Sequence, residues 1–349
     1  MPSQLKFKCI AALAAAAALL ALPAAAQATL AFTRNPLHPV VFAATDNGSG
    51  AHKLGAGSGP RVSPDGEQIA YFHEGPGHAQ EMILAPAGGG TSRTLLTGWR
   101  ETFYFAFSPD SKTIAALRGH EIGKRKLVLI DVATGTQTVV ATGYFSGFSF
   151  SPDGTELVYA LSGSEQYPPR SNIYRFQVPT GESVRFVLPA RITHDHRSED
   201  PLWGPAGKIV FVKLLGATQR KYGPKNELYL MNPDGSGVKR LTHTKVDPLV
   251  QGLTPTQWSA SGQRLLAEFG GQDTTYAVTV NPKTGAEKTL TKEREVGFVG
   301  TALSADGSTV LGDTGGFEPG PDHKVVTIPY TGGKPKVLAN NASEPSWSR

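Results

Sequence analysis

Cysteine and charge are both scarce in this chain of 349 residues, and each scarcity excludes a class of protein. Cys9 is the single cysteine, which excludes a disulfide framework and a four-cysteine zinc module. Charged residues make up only 18% of the sequence, too few for a long coiled coil or a solvated disordered tail. The composition therefore indicates a folded chain of modest charge.

The first 28 residues have the features of a secretory signal peptide. Two lysines form a basic start, residues 10–22 are an unbroken apolar run, and Ala26-Gln27-Ala28 is a small-x-small cleavage site, with a cut after Ala26 as the alternative. The apolar run is shorter than the roughly 20 residues that span a bilayer. Cys9 precedes this run, so cleavage removes it. We therefore expect a cysteine-free mature chain, residues 29–349, in the periplasm or outside the cell.

Removal of the leader also changes the charge of the protein. The leader carries two lysines and no acidic residue, so the formal net charge falls from +5 to +3. Because the mature chain has no strong excess of positive charge, we expect no nucleic-acid partner. No later segment contains eighteen consecutive apolar residues, and we expect no membrane span.

Glycine and proline are abundant, with 40 and 26 residues, and they recur in a repeated motif. One copy reads Phe150-Ser151-Pro152-Asp153-Gly154 and precedes an alternating strand pattern at residues 156–160. Proline fixes φ at the second position of a type I turn and glycine supplies a position with φ > 0, so each copy predicts a hairpin. Clear and weaker copies are anchored at positions 63, 108, 151, 204, 259, 304 and 348, spaced 43 to 55 residues apart.

A second hairpin follows in each unit, for example around Asn232-Pro233-Asp234-Gly235. Four strands in about 45 residues, repeated along the chain, are typical of β-propeller blades. Residues 30–33, 39–43 and 52–54 fit the last three strands of a blade, and residues 345–348 fit its missing first strand. We therefore predict an all-β propeller of four-stranded blades, with seven blades and both termini closing one of them. Six blades are the alternative.

These motifs resemble the WD40-like repeats of TolB-like β-propellers. The resemblance lies in the Ser-Pro-Asp-Gly turns, in Ile69-Ala70-Tyr71, in the Leu-Tyr-Leu-Met-Asn-Pro-Asp-Gly run at residues 228–235 and in Arg240-Leu241-Thr242. It covers essentially the whole of residues 29–349 and implies a fold rather than an activity. We expect a stand-alone propeller, without the additional N-terminal domain of TolB and without the hydrolase domain of prolyl peptidases.

The sequence lacks the motifs of several enzyme classes. It contains no Gly-x-Ser-x-Gly elbow of a serine hydrolase and no glycine-rich phosphate loop followed by Lys-Ser/Thr. His73-Glu74 and His78 have the wrong spacing for a zincin, and Gly75-Pro76-Gly77 prevents the helix that a zincin needs. We predict no catalytic residue and no organic cofactor.

One segment concentrates chemically active side chains. Residues 194–200 contain two histidines, an arginine and three acidic residues, a combination that binds divalent metals or, through arginine, acids. The alternative is an ordinary turn between blades, because Leu241-Thr242-His243 occupies the same position one blade later. His194 and His196 are the candidate metal ligands, and a divalent metal is the one cofactor left open.

Long connections between second and third strands, and between blades, are predicted on one face of the propeller. Function concentrates on loops that a rigid scaffold holds, and propellers bind over the mouth of the central channel. Because basic residues cluster in these loops, we expect them to bind an anionic group of a protein or a glycan. The candidate ligand-binding residues are Arg118, His120, Arg170, His194, His196, Arg197, Lys213, Arg220, Lys221 and His243.

The fold and the missing motifs together favour one function. We expect an exported, non-catalytic, monomeric propeller that binds a protein or cell-envelope component through its loop-rich face. Two alternatives stay open. One is a propeller that binds acidic carbohydrate, and the other is a lyase-type enzyme that acts on acidic oligosaccharides through loop histidines and arginines.

Overall fold

A computed structural model describes most of the predicted propeller. The predicted leader, residues 1–28, lies outside the described residues. Within the described ranges the chain forms strands, turns and loops, with one short 3-10 turn at Pro76–His78. No helix in these ranges is long and apolar enough to cross a membrane. The described ranges are 29–35, 37–99, 104–119, 123, 125–163, 170–179, 188–216, 224–245, 250–271, 275–291, 297–315 and 322–348.

The strands follow one another along the whole described chain. The first fourteen are β1 (Thr29–Arg34), β2 (Val40–Thr45), β3 (His52–Ala56), β4 (Ser58–Val62), β5 (Gln68–Glu74), β6 (Gln80–Pro86), β7 (Arg93–Trp99), β8 (Phe105–Phe107), β9 (Thr113–Arg118), β10 (Arg125–Asp131), β11 (Gln137–Phe150), β12 (Glu156–Ser162), β13 (Ser171–Gln177) and β14 (Ala190–Arg191). The others are β15 (Ser198–Trp203), β16 (Ile209–Leu215), β17 (Lys225–Met231), β18 (Lys239–Arg240), β19 (Val250–Trp258), β20 (Leu265–Gly271), β21 (Thr275–Val280), β22 (Glu287–Thr289), β23 (Phe298–Leu303), β24 (Thr309–Thr314), β25 (Lys324–Pro329), β26 (Lys336–Asn340) and β27 (Ala342–Trp347).

These strands pair into antiparallel, four-stranded blades. Blade 1 is β4 to β7, blade 2 is β8 to β10 with the first half of β11, and blade 3 is the second half of β11 with β12 to β14. Blades 4, 5 and 6 are β15 to β18, β19 to β22 and β23 to β26. The composite blade has the order β27-β1-β2-β3 and so contains both ends of the described chain. The predicted propeller fold and its closure by both termini are confirmed.

Blades 2 and 3 are joined by a continuous strand. The repeat predicts a turn between blades at Thr142-Gly143, but β11 passes through these residues without interruption. Residues 137–143 pair with β10, and residues 144–150 pair with β12. Gly143 has a φ of +151° and no side chain, which lets the strand bend from one blade into the next.

Apolar side chains fill the seams between neighbouring blades. Ala70 belongs to the cluster between blades 1 and 2, whereas Ile69 and Tyr71 on the same strand belong to the cluster between blade 1 and the composite blade. Alternate residues of one strand are therefore buried in different seams, which explains why the strands are nearly continuous apolar runs. Among the described residues, one such cluster lies at each successive seam around the ring.

The repeated turns are held by a side-chain network. Ser151 Oγ donates to Asp153 Oδ1 at 2.6 Å and accepts from Glu156 N at 2.9 Å, while Gly154 has a φ of +74°. The turn that begins at Ser304 repeats the serine–aspartate bond, and the hydrogen bonds of Ser304 and Ser308 lower the pKa of Asp306 to about 2. Proline and glycine predict the turn, and this network explains why serine and aspartate accompany them.

Candidate functional site

The candidate site lies at one end of the central channel. Successive strands of a blade are antiparallel, so their connections alternate between two ends. The Ser-Pro-Asp-Gly turns occupy one end, the turn face, and the connections between blades occupy the other, the loop face. Segment 192–197 joins β14 to β15 and therefore lies on the loop face. The first strands β11, β15, β19, β23, β27 and β4 contact one another in turn around the channel, which places the start of β15 at its mouth.

Asp195 organises this segment. Its carboxylate accepts hydrogen bonds from Ser198 Oγ at 2.8 Å and from Arg197 N at 3.1 Å, and it pairs with Lys213 Nζ of β16 at 2.9 Å. Burial acts to raise the pKa of Asp195, but the bonds from Lys213, Ser198 and Arg197 outweigh it and lower the pKa. Asp195 is thus an ionised anchor that ties the loop to blade 4.

His196 is tied to blade 3 through Asn172. The backbone N–H of His196 donates to Asn172 Oδ1 at 3.1 Å, and Asn172 Nδ2 lies 3.0 Å from His196 Nδ1. Because Oδ1 faces the N–H group, the amide presents its NH₂ to the ring, so Nδ1 accepts. His196 also has a left-handed φ of +57°, which a non-glycine residue adopts at a cost. Both blades therefore fix the shape of the loop.

The loop presents exposed polar side chains on this fixed backbone. His194 and Arg197 are exposed, and so is Arg170, which directly precedes β13. Thr193 is buried, and its hydroxyl accepts from Ile173 N at 2.8 Å. Lys213 is only partly exposed, because it pairs with Asp195 and lies over the Tyr229 ring at 5.2 Å. The side chains exposed to a ligand here are thus those of Arg170, His194 and Arg197.

The other predicted site residues are spread over the loop face. Arg118 ends β9 in blade 2 and donates to Gln137 Oε1 at 2.8 Å, and exposed His243 follows β18 in blade 4. The structure brings His194, His196, Arg197 and Lys213 together, but no described contact joins Arg118 or His243 to them. The predictions at His120, Arg220 and Lys221 lie outside the described residues.

The described residues do not assemble a metal centre. No group of three histidine, cysteine, aspartate or glutamate side chains in the described ranges is arranged to hold a metal ion. His196 Nδ1 is engaged by Asn172, and Asp195 by Ser198 and Lys213. The segment is arranged to hold its own backbone in place rather than to direct several ligands at one point.

Two carboxyl groups follow the loop on the innermost strand of blade 4. Glu199 Oε1 accepts from Ser171 Oγ of blade 3 at 2.8 Å, and Asp200 N donates to Ser146 Oγ of the same blade at 3.3 Å. Burial raises the pKa of Asp200 to about 8, and the charge of Glu199 acts in the same direction. Burial also raises the pKa of Glu199, against the opposing bond from Ser171. This acid pair was part of the sequence cluster but not among the predicted site residues.

A related arrangement occurs in the composite blade. Glu344 precedes Pro345 and Trp347 as Asp200 precedes Pro201 and Trp203, and the two acids have left-handed φ values of +53° and +45°. Sequence reasoning missed Glu344 as well as Asn172. The acid-Pro-x-Trp spacing, shared by two first strands, is the signal that could have found Glu344.

Comparison with known proteins identifies proteins with a similar fold. No family model matches the chain. The uncharacterized peptidase YuxL of Bacillus subtilis (strain 168) is 29% identical over 145 residues, which are 41% of this chain and 19% of YuxL. The chain thus spans about a fifth of the length of that curated relative.

Two solved structures resemble most of the chain. TolB from Acinetobacter baumannii has a TM-score of 0.55 at 21% identity, over 81% of this chain and 67% of that one. An oligogalacturonate lyase in complex with manganese has a TM-score of 0.57 at 18% identity, over 89% of this chain and 84% of that one. At such identities the likeness concerns architecture, not activity. The chain has the β-propeller fold of the TolB-like and WD40-like proteins.

Proposed function

We propose that this protein is an exported, non-catalytic β-propeller that binds a protein or cell-envelope partner over its loop face. The observation that carries the proposal is the segment 193–197, whose backbone both blades hold while His194 and Arg197 remain exposed. A binding surface gains affinity when its loops are already ordered, because less conformational entropy is lost on association. The seam between blades 3 and 4 is the proposed centre of the surface.

The chemistry of this surface favours an acidic partner segment. Arg170 and Arg197 are exposed, and arginine pairs with carboxylates through two parallel hydrogen bonds. Asp195 is already paired with Lys213, so it offers little repulsion to an incoming acid. Export rests on the predicted leader at residues 1–28, whose basic start, apolar run and small-x-small site are those of a secretory signal peptide.

The experiment compares two charge reversals on the same blade. Tagged protein lacking the leader is incubated with an extract of the cell envelope, and bound proteins are quantified by mass spectrometry. Arg197→Glu should deplete the partner at least about tenfold, because it places a negative charge at the proposed contact. Lys239→Glu reverses an exposed cation on the outer strand of blade 4 and should leave capture unchanged. Equal capture by both variants would refute the role of the loop.

An acidic carbohydrate is the second candidate ligand. The same exposed arginines suit uronate carboxylates, and the resemblance to oligogalacturonate lyase makes oligogalacturonate the natural probe. Thermal unfolding is measured with oligogalacturonate, with and without manganese, and the mixture is assayed for unsaturated product. A rise in the unfolding temperature that Arg197→Glu abolishes would favour carbohydrate binding over a protein partner. Formation of unsaturated product would show a lyase.

A further inference from the structure

A positively charged side chain stacked on two aromatic rings lies at the loop-face end of the composite blade. β1 is the second strand of this blade, and Arg34 ends it where the chain reaches the loop face. Arg34 Cζ lies 4.8 Å from the ring centre of Phe42 and 5.1 Å from that of Phe32, and the two rings are parallel to within 5°. Because Phe32 is fully buried between blade 6 and the composite blade, these contacts hold the guanidinium in one place.

Blade 4 contains the same arrangement with a different cation. Phe211 of β16 pairs with Tyr229 of β17, and their ring centres are 5.9 Å apart. Lys213 follows Phe211 by two residues, and its Nζ lies 5.2 Å from the Tyr229 ring centre. In the composite blade the two phenylalanines pair in the same register, also with ring centres 5.9 Å apart. Since β16 and β1 are both second strands, Lys213 and Arg34 occupy the same position in their blades.

The two cations differ in their counter-charge. Lys213 pairs with Asp195 at 2.9 Å, an acid that the loop before β15 supplies. The connection before β27 is the single uncharged residue Asn341, which follows Asn340 at the end of β26. In the described part of the chain Arg34 makes no hydrogen bond or ion pair, and its Nε is buried without a partner. Arg34 thus has the position of Lys213 without the acid that pairs with it.

Acids on the neighbouring strands do not supply the missing charge. Asp313 Oδ2 of β24 accepts from Glu344 N at 2.8 Å. Glu344 Oε2 accepts from Thr33 Oγ1 and Gly59 N, so it lies toward blade 1. Thr33 and Arg34 are successive residues of β1 and point to opposite faces of the blade, which places the Glu344 carboxylate away from the guanidinium. A fixed guanidinium without an internal acid is suited to bind an external carboxylate.

We propose that Arg34 is a carboxylate-binding residue of the loop face, and that it takes an acidic side chain of a partner protein in the position that Asp195 has beside Lys213. Arginine can bind both oxygens of a carboxylate through parallel hydrogen bonds. Leu37, on the connection that follows β1, is 83% exposed and offers an apolar contact, which favours a protein segment over a glycan.

This inference rests on the proposed function, because it gives the acidic partner a second contact on the same loop face. Arg34 lies between blade 6 and the composite blade, whereas Arg197 lies between blades 3 and 4. Blades 4, 5 and 6 separate the two arginines, so a partner that reached both would extend across the mouth of the channel.

Binding of an acidic peptide tests the proposal. A fluorescein-labelled peptide of alternating glutamate and leucine is titrated with protein lacking the leader, and its anisotropy is measured. Arg34→Gln should weaken binding at least about tenfold, because the charged, two-pronged donor is lost. Arg264→Gln is the matched control and should bind as the wild type does. Arg264 also lies over an aromatic ring, 5.1 Å from the ring centre of Tyr330, but it precedes β20 at the turn face.

A second pair of variants keeps the proposal testable if Arg34→Gln fails to fold. Asn341→Asp supplies an acid from the connection before β27, as Asp195 does for Lys213, and should also reduce peptide binding at least about tenfold. Asn281→Asp adds the same charge in the exposed turn between β21 and β22 and should leave binding unchanged. Equal binding by both variants would contradict a carboxylate site at Arg34.

Three results would overturn the proposal. The first is equal peptide affinity of the wild type and Arg34→Gln, and the second is no binding of the peptide by the wild type. The third is binding of labelled oligogalacturonate, but not of the peptide, in a manner that depends on Arg34, because the ligand is then a glycan. Envelope capture decides the proposed function separately: if Arg197→Glu leaves capture unchanged, that function fails whatever the peptide shows at Arg34.

Discussion

Asp200 and Glu344 occupy the same position in two first strands, yet their carboxyl groups have opposite surroundings. Glu344 Oε2 accepts from Thr33 Oγ1 and from Gly59 N, both at 2.8 Å, and so ties the composite blade to blade 1. Asp200 has Gly147 and Glu199 beside it instead. A shared backbone position therefore does not give a shared role: one acid is a structural acceptor, and the other is a carboxyl whose pKa is raised to about 8 by burial and by the charge of Glu199.

The backbone at this position is left-handed in three first strands. Blade 1 has Gly59 at the corresponding place, with a φ of +63°, so the bulged first strand there needs a left-handed residue. A non-glycine residue in this region costs about 1–2 kcal/mol, and the following proline adds to the restriction. In Glu344 the side chain makes hydrogen bonds with Gly59 and Thr33 that offset this cost.

The largest expected effect is the loss of stability when either tryptophan that follows these acids is replaced by alanine. Trp203→Ala should lower the free energy of unfolding by about 3–5 kcal/mol, because the side chain is only 8% exposed in the seam between blades 3 and 4. Trp347→Ala should cost less, about 2–3 kcal/mol, because that side chain is only partly buried and its Nε1 has no partner in the described part of the chain. Urea unfolding measures both, and equal losses would contradict the ranking.

The next effect concerns the pH dependence of stability. A carboxyl whose folded pKa lies above its unfolded pKa makes the protein less stable as pH rises from about 4 to about 8. The full shift would correspond to about 5 kcal/mol, but Asp200 is partly exposed and water reduces the effect, so Asp200→Asn should match the wild type near pH 4 and exceed it by about 1–2 kcal/mol at pH 8. Urea unfolding across this range provides the measurement. Parallel curves for the two proteins would show that Asp200 does not titrate in this window.

A smaller effect on stability is expected at Glu344, the acid of the composite blade that corresponds to Asp200. Glu344→Ala removes the acceptor for Gly59 N and Thr33 Oγ1 and should lower the free energy of unfolding by about 1 kcal/mol, a modest value because the glutamate is exposed. Asp200→Ala removes no such acceptor and should not show this loss at pH 8. A larger loss for Asp200→Ala than for Glu344→Ala would reverse the comparison of the two seams.

The smallest effects on stability are expected at the exposed loop residues. His194→Ala and Arg197→Glu should change the free energy of unfolding by less than about 0.5 kcal/mol, because both side chains are exposed and Asp195 holds the loop through Arg197 N rather than through the guanidinium. Thermal unfolding checks this. A large loss at either position would mean that reduced partner capture by Arg197→Glu reflects damage to the loop.

Much of the fold could be predicted from the sequence, because the repeat encodes it locally. Each Ser-Pro-Asp-Gly copy specifies its own turn, and the alternating strands specify which residues enter the seams. The closing strand was also predictable, since residues 345–348 complete a blade that lacks its first strand. The continuous β11 was not, because Thr142-Gly143 has the composition of a turn and only the geometry of two packed blades keeps it extended.

Less of the site could be predicted, because its contacts join distant residues. The segment around His194 and Arg197 was found by its density of polar residues, but the bond from Asn172 to His196 spans 24 positions and two blades. Glu344 and Gly59 are 285 positions apart and meet only when the ring closes. The bulge that turns Asp200 toward Gly147 depends on the register between β15 and β16, which shifts between Glu199 and Leu202. None of these follows from local pattern.

The composite blade can be completed only when the last described strand is present. Thr29 and Ser348 exchange hydrogen bonds of 2.8 and 3.0 Å across 319 positions, so the first strand of the described chain waits for the last. Until β27 arrives, β1 lacks its inner partner and offers an unpaired edge, a template for pairing with other chains. A chain that is synthesised or exported with its N-terminus first would carry the unpaired edge of β1 until β27 follows. Its greatest exposure to misassembly would fall in the interval before the final strand is delivered.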